Sequence, residues 1–221
     1  MSMSDYGKTL YWDERYSSYD GQLFDWYTCW ESLKPHILPF LSITPDFEIL
    51  IPGCGSSTLG CDLFDSGYLN ITNVDNSSVC INQMIDRYAD RQEMEYTLMD
   101  CTDLDQYPDG CFNLIVDKGL FDSVICSPLN VTNVKLLLNE MYRVLKHGGV
   151  YLCISHSPPT SRIGYLSNKS FNWAVEVRQI LKTGVSGDGE VKGGDYHYMY
   201  ICRKANSKSS SGSGGEGQGQ R

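Results

Sequence analysis

The fold of this chain is indicated most clearly by the stretch Glu48-Ile49-Leu50-Ile51-Pro52-Gly53-Cys54-Gly55-Ser56-Ser57-Thr58-Leu59-Gly60. In this stretch a short apolar run leads into a glycine-rich turn, and hydroxyl residues follow the turn. The order is typical of a strand, a tight loop and a helix start, the place where an α/β fold holds a nucleotide-like cofactor. Asp75 comes about 20 residues after Gly55, at the end of the next apolar run, where a carboxylate can accept hydrogen bonds from ribose hydroxyls.

The loop lacks the marks of a phosphate-binding site. A dinucleotide loop of the G-x-G-x-x-G type needs a third glycine for close helix packing, and the corresponding residue here is Thr58. No Gly-Lys-Ser/Thr of a Walker loop follows the turn. The loop therefore suits a ligand without phosphates, which Gly53 and Gly55 allow the backbone to approach closely. For the glycine turn on its own, a purely structural role stays open as an alternative.

Two more predicted strands end in charged residues. Asp100 and Cys101 follow the apolar-leaning run that begins at Glu95, and Asp117 and Lys118 end a continuous apolar run. Open α/β sheets bind ligands at the carboxyl ends of their strands. We therefore expect Asp100 and the Cys101 backbone to read an adenine edge, and Asp117 and Lys118 to border the reacting groups. The alternatives are a loop or helix-capping acid for Asp100 and a surface ion pair for Lys118.

Strand and helix patterns alternate along the central part of the chain, which predicts a parallel, doubly wound α/β sheet. A helix pattern over residues 131–145 is expected to stop at the glycines of His147-Gly148-Gly149. Later, two alternating segments around Val175 and Tyr198, joined by a glycine-rich loop at 184–194, predict an antiparallel hairpin at the sheet edge. We expect one domain over 1–204 and a disordered Ser/Gly/Gln-rich tail over 205–221.

Composition narrows the class of protein. The net charge of -9 argues against a large nucleic-acid interface and favours a cationic partner, such as a protein with exposed lysines. No apolar run is long enough for a membrane helix, so a cytoplasmic protein that does not bind membranes is expected. The nine cysteines have no C-x-x-C spacing and the four histidines no ligand spacing, so neither a disulfide framework nor a metal site is predicted.

The residues before the first strand, about 9–45, are rich in aromatic side chains and contain three of the four tryptophans. These rings could form a helix face packed on the sheet. They could equally form a cap over the cofactor, because aromatic faces attract cations such as a sulfonium or an ammonium.

Taken together, these motifs resemble the class I S-adenosylmethionine (SAM)-dependent methyltransferases. Within that class they are similar to the family that methylates lysine on translation elongation factor 1-alpha. The general resemblance is carried by residues 49–55, Asp75, Met99-Asp100 and 144–149. The narrower one is carried by residues 11–16, Asp25-Trp26, 74–79 and 117–122.

The resemblance implies a Rossmann-like fold with a seven-stranded, mostly parallel sheet that ends in the antiparallel hairpin. It implies SAM as cofactor, with S-adenosyl-L-homocysteine as its product. The implied cofactor contacts are Trp12, Tyr16, Trp26, Gly53, Gly55, Asp75, Asn76, Asp100, Cys101 and Lys118. Asp117 and Asp122 are the acids nearest the expected acceptor and are the candidate catalytic groups. The chain departs from the family pattern at Asp117, at Phe121 and in the short loop after Asp122. These departures bear on which substrate the protein accepts.

Three functions follow as hypotheses. The first is transfer of a methyl group to a lysine amine of a protein such as elongation factor 1-alpha, and the second is methylation of a small molecule. The third is a nicotinamide-dependent oxidoreductase or a non-catalytic nucleotide-binding module. Thr58 and the terminal hairpin argue against the oxidoreductase.

Overall fold

The computed structural model describes residues 3–18, 21–182 and 196–207. The α-helices in these ranges are α1 (Thr9–Ser18), α2 (Trp30–Ile37), α3 (Leu59–Asp65), α4 (Ser78–Arg87), α5 (Leu120–Val124), α6 (Asn130–Val144) and α7 (Pro159–Leu166). The strands are β1 (Ile49–Pro52), β2 (Ile71–Asp75), β3 (Met94–Leu98), β4 (Phe112–Lys118), β5 (Leu145–Ser155), β6 (Trp173–Leu181) and β7 (Tyr196–Lys204). Short 3-10 helices cover Met3–Gly7 and Leu38–Phe40.

The strands form one seven-stranded sheet in the order β3-β2-β1-β4-β5-β7-β6. The pairs from β3 to β5 are parallel, whereas β7 runs antiparallel to both β5 and β6. The predicted fold class is therefore confirmed, including the C-terminal hairpin. The loop predicted at 184–194 lies outside the described residues, as does most of the predicted tail. No helix in the described ranges is long and apolar enough to cross a membrane.

Two local predictions differ from the structure. Helix α6 ends at Val144, and β5 begins with the next residue, so the glycines do not cap the helix. They lie instead at an irregularity in the β4–β5 ladder, where Phe112 pairs with Leu145 and Leu114 already pairs with Val150. Gly148 has a φ of +77°, which a residue with a side chain rarely adopts.

The prolines near α2 also act differently from one another. The sequence predicts a break in the helix at both Pro35 and Pro39, yet Pro35 lies inside α2. The helix gives way to a 3-10 turn only around Pro39. Packing of Leu33 and Ile37, both fully buried, holds the helix together in spite of the backbone hydrogen bond that Pro35 lacks.

Helices cover both faces of the sheet. A ligand can therefore reach the sheet at the ends of its strands. On one face, Ile49 and Ile51 of β1 pack against α2 and α3. On the other face, Leu50 packs in a cluster with residues of α5, α6 and α7. All residues of β1 are buried, as expected of a central strand covered on both sides.

Asp117 of β4 belongs to this interior and is 0% exposed. Its carboxylate accepts hydrogen bonds from the N–H groups of Leu120 at 2.8 Å and Phe121 at 3.1 Å, and from the Tyr151 hydroxyl at 2.9 Å. Burial raises the pKa of Asp117 to about 7, although these hydrogen bonds oppose the rise. Asp117 therefore joins β4 and β5 to the start of α5.

This environment makes stability depend on pH through Asp117. A carboxyl group whose pKa is raised in the folded state stabilises the fold below its unfolded pKa, and the contribution is lost as pH rises toward 7. Asp117→Asn keeps an acceptor for the backbone and cannot ionise. We expect the free energy of unfolding of wild type to fall by about 2 kcal/mol, relative to this variant, between pH 5 and 7. Urea unfolding of both proteins at several pH values measures the difference. A difference that does not change with pH would contradict the assignment.

Candidate functional site

A cavity of about 490 Å³ opens at the carboxyl ends of the parallel strands. Its wall combines the ends of β1, β2 and β4, the residues that follow β3 and β5, and the aromatic segment before β1. Ligand sites of α/β sheets lie at this edge, and the volume is within the range of about 300–1,000 Å³ that small-molecule sites occupy. The cavity is therefore the candidate site.

The structure brings every predicted cofactor-contact residue to this cavity. They are Trp12, Tyr16, Trp26, Gly53, Gly55, Asp75, Asn76, Asp100, Cys101 and Lys118. Of the two candidate catalytic acids, Asp122 lines the cavity, whereas Asp117 is enclosed in the protein interior and does not. That these residues contact a cofactor stays a prediction.

The glycine turn and Asp75 form one hydrogen-bonded unit. The Gly55 N–H donates to one oxygen of the Asp75 carboxylate at 2.9 Å, and the Ser77 N–H donates to the other at 2.9 Å. Gly55 has a φ of +52°, and a Cβ there would lie 2.6 Å from the Tyr16 hydroxyl oxygen. The turn therefore requires glycine, and it leaves the outer lone pairs of Asp75 available to hydroxyl groups in the cavity.

Two other predicted residues shape the loops beside Asp75. One oxygen of Asp100 accepts hydrogen bonds from the N–H and the hydroxyl of Thr102, both at 2.8 Å, so the loop-acid interpretation describes its bonds. Asp100 lines the cavity as well. The Asn76 side-chain amide donates to the Thr9 hydroxyl at 3.0 Å, which joins the end of β2 to α1.

The aromatic segment forms the opposite wall of the cavity. The Trp12 and Tyr16 rings are stacked with centroids 6.0 Å apart, and Trp26 meets Trp12 edge-on at 6.0 Å. Tyr6 meets Trp26 edge-on at 5.9 Å, and its carbonyl accepts a hydrogen bond from the Trp12 indole at 2.8 Å. These rings support one another and line the cavity.

A buried ion pair fixes this wall to the sheet. The Lys118 ammonium lies 2.8 Å from the Asp25 carboxylate and donates to the Trp26 carbonyl at 3.1 Å. The hydroxyls of Ser57 and Thr58 also donate to Asp25. Burial lowers the pKa of Lys118, although Asp25 opposes this shift. The ion pair that was the alternative for Lys118 is therefore present, but it is buried and not on the surface. Thr58, at the position of the third glycine of a dinucleotide loop, stabilises the aromatic wall through Asp25.

Sequence reasoning missed the surroundings of Asp122. Its carboxylate accepts hydrogen bonds from the Tyr27 hydroxyl at 2.7 Å, the Ser155 hydroxyl at 2.7 Å and the Arg162 guanidinium at 3.0 Å. The His156 ring also lies 2.7 Å from it through Nδ1. A signal was present, because the apolar run over residues 150–155 predicts a strand, and His156 directly follows it, as Asp100 follows the strand before it.

Burial alone would raise the pKa of Asp122. Hydrogen bonds from His156, Ser155 and Tyr27, together with the charge of Arg162, instead hold the pKa of Asp122 well below its usual range. Asp122 therefore stays ionised, and it organises four side chains from three separate segments at one end of the cavity.

Comparison with known proteins assigns the family. Residues 50–153 match the family described as "Methyltransferase domain". The chain is 31% identical over 179 residues to the mouse protein EEF1A lysine methyltransferase 4, covering 77% of this chain and 69% of that protein. It is 34% identical over 188 residues to the bovine eEF1A lysine and N-terminal methyltransferase, covering 82% of this chain.

The chain spans only 26% of the length of that bovine protein. Among solved structures, a SAM-dependent methyltransferase from Methanosarcina mazei superposes with a TM-score of 0.60 at 16% identity, covering 83% of this chain and all of that one. This likeness shows the shared fold. The domain match and the extended identity to EEF1A lysine methyltransferase 4 together show that this chain belongs to the family of SAM-dependent methyltransferases.

Proposed function

We propose that the chain transfers a methyl group from SAM to a lysine side-chain amine of a protein, and that its substrate is translation elongation factor 1-alpha. The observation that carries the proposal is the identity to EEF1A lysine methyltransferase 4, which extends over 69% of that protein. The net charge of -9 supports a substrate that presents positive charge.

The residues of the cavity fit SAM better than a dinucleotide. Three carboxylates, Asp75, Asp100 and Asp122, line the cavity and would repel a pyrophosphate. Lys118 also lines it, but its charge is already paired with Asp25. A ligand with a sulfonium and an amino group suits an acidic and aromatic lining, because both kinds of group attract cations.

Each part of the lining has a role in this proposal. Asp75 would accept hydrogen bonds from the ribose hydroxyls, and Asp100 would accept one from the adenine amino group. Gly53 and Gly55 would let the backbone approach the amino-acid end, which Trp12, Tyr16 and Trp26 would cover. When bound, SAM supplies a methyl group on a positively charged sulfur with a good leaving group. The protein then has mainly to align donor and acceptor and keep water out.

We propose that Asp122 is the acid that lies beside the acceptor amine, and that Asp117 has a structural role. Asp122 lines the cavity next to Tyr27 and His156, whereas Asp117 satisfies backbone groups in the interior. Tyr27 is held in place through both its side chain and its backbone. Its hydroxyl donates to Asp122, and the Tyr27 carbonyl lies 3.1 Å from the His197 ring nitrogen Nε2. A lysine side chain that enters the cavity beside Tyr27 would meet aromatic faces and the charge of the Asp122 carboxylate.

The ribose assignment is tested by Asp75→Asn. We expect the Kd for SAM to rise about 10-fold or more, because a charged acceptor of ribose hydrogen bonds is lost and such bonds are worth about 1.5–3 kcal/mol. Isothermal titration calorimetry measures the Kd. Asp103→Asn is the matched control, since Asp103 is an exposed acid in the same region that does not line the cavity. Equal affinities in the two variants, with both folded, would refute the ribose assignment.

The substrate assignment is tested with labelled SAM and unmethylated elongation factor 1-alpha made in bacteria. We expect label in the elongation-factor band, and mass spectrometry should place it on a lysine side chain and not on the N-terminal amine. Asp75→Ala at low SAM concentration is the control for contaminating activity, because its labelling should be much weaker. Incubation with a cell lysate gives the alternative outcome. Label found only in small metabolites would reject a protein substrate and favour small-molecule methylation.

A further inference from the structure

The proposed reaction needs a group that removes a proton from the acceptor, because a lysine with a pKa of about 10.4 is almost fully protonated at neutral pH. Asp122 is unsuited to this task. It is 5% exposed, and both of its oxygens already accept hydrogen bonds from Ser155, Arg162, Tyr27 and His156. A carboxylate with this many donors has little capacity to accept a further proton.

His156 is placed differently. It follows the last residue of β5, it lines the same cavity as Asp122, and its side chain is 54% exposed. Its Nδ1 lies 2.7 Å from an oxygen of Asp122. Because an ionised carboxylate only accepts hydrogen bonds, this contact places a ring proton on Nδ1, so in the neutral imidazole the lone pair is on Nε2. The polar neighbour of Nε2 is the Ser157 hydroxyl at 3.2 Å.

We propose that His156 Nε2 accepts the proton of the acceptor ammonium, with Asp122 as the residue that positions the imidazole. The inference rests on the proposed function, because only a protonated amine acceptor requires this step. The pairing of a buried carboxylate with Nδ1 of a half-exposed imidazole is the arrangement by which carboxylates orient histidine bases in other enzymes.

The step balances within these groups. An N–H bond of the acceptor ammonium breaks, and an N–H bond forms at Nε2 of His156. The electron pair stays on the acceptor nitrogen and becomes the lone pair that forms the bond to the methyl group. Asp122 stabilises the resulting imidazolium, which passes its proton to water because the ring is half exposed. One proton therefore reaches solvent for each methyl group transferred.

The titratable groups around the imidazole favour this role. The Tyr27 hydroxyl lies 3.3 Å from Nδ1, and burial raises its pKa, so it stays protonated and donates to Asp122. The His197 ring of β7 lies 4.9 Å from the Tyr27 ring, and burial lowers the pKa of His197, so it adds no positive charge at neutral pH. Arg162 of α7 is paired with Asp122. Among the described residues that contact the ring or Asp122, the charged ones are therefore Asp122 and Arg162.

The test compares wild type with His156→Gln on elongation factor 1-alpha at saturating SAM, from about pH 7 to pH 10. We expect kcat of the variant to be about 100-fold lower at pH 7.5, the lower end of the range for a general base. The deficit should shrink toward high pH, because the lysine then loses its proton to water. The Kd for SAM should change less than about 3-fold, since a proton acceptor does not hold the cofactor.

His147→Gln is the matched control, because His147 is an exposed histidine near the other end of the same strand. It should keep wild-type kcat at every pH. A second variant, Asp122→Asn, should lower kcat with the same recovery at high pH, and thermal unfolding shows whether it is folded. If His156→Gln keeps wild-type kcat, or loses the same factor at every pH, the inference is overturned. If wild type labels no lysine although it binds SAM, the proposed function fails and the inference with it.

Discussion

The structure depends on the parallel pairing of neighbouring strands from β3 to β5. Parallel strands bring their carboxyl ends to one edge, so residues far apart in the chain meet there. Gly53, Asp75, Asp100 and His156 each follow or end a different strand, and all of them line one cavity. Because helices bury both faces of the sheet, this edge is where polar side chains can face a ligand.

The second constraint is the ion pair between Asp25 and Lys118, which joins the aromatic wall to the end of β4. A buried pair of this kind is weak evidence for extra stability, because desolvation offsets most of the attraction between the charges. Its effect is on geometry. Lys118 also donates to the Trp26 carbonyl, and Ser57 and Thr58 donate to Asp25. The glycine loop and the aromatic wall are therefore held at a set distance, with the cavity between them.

The sequence was sufficient for the elements whose signal is local. The continuous apolar runs at β1 and β4, and the glycine turn with Asp75, predicted the sheet correctly, and the residues predicted to contact the cofactor line the cavity. The predicted role of Gly148 and Gly149 as the end of α6 was wrong, because a glycine pair is found both at helix ends and at irregularities between paired strands. The pairing of Phe112 with Leu145 shows that these glycines lie at an irregularity between β4 and β5. The position of His156 after β5 was a local signal, but its contact with Asp122, and those of Tyr27 and Arg162, could not be predicted, because these residues come together only in the folded chain.

Asp117 and Asp122 show how environment assigns different roles to one residue type within a single turn of chain. Asp117 faces the interior, where its partners are two backbone N–H groups and the Tyr151 hydroxyl, so burial dominates and its pKa rises to about 7. Asp122 meets Arg162 and His156, so positive charge and donors dominate and its pKa falls well below the usual range. The first carboxyl group is suited to holding strands together. The second carries a permanent negative charge to the cavity, where it sets the orientation of His156 and the proton on Nδ1.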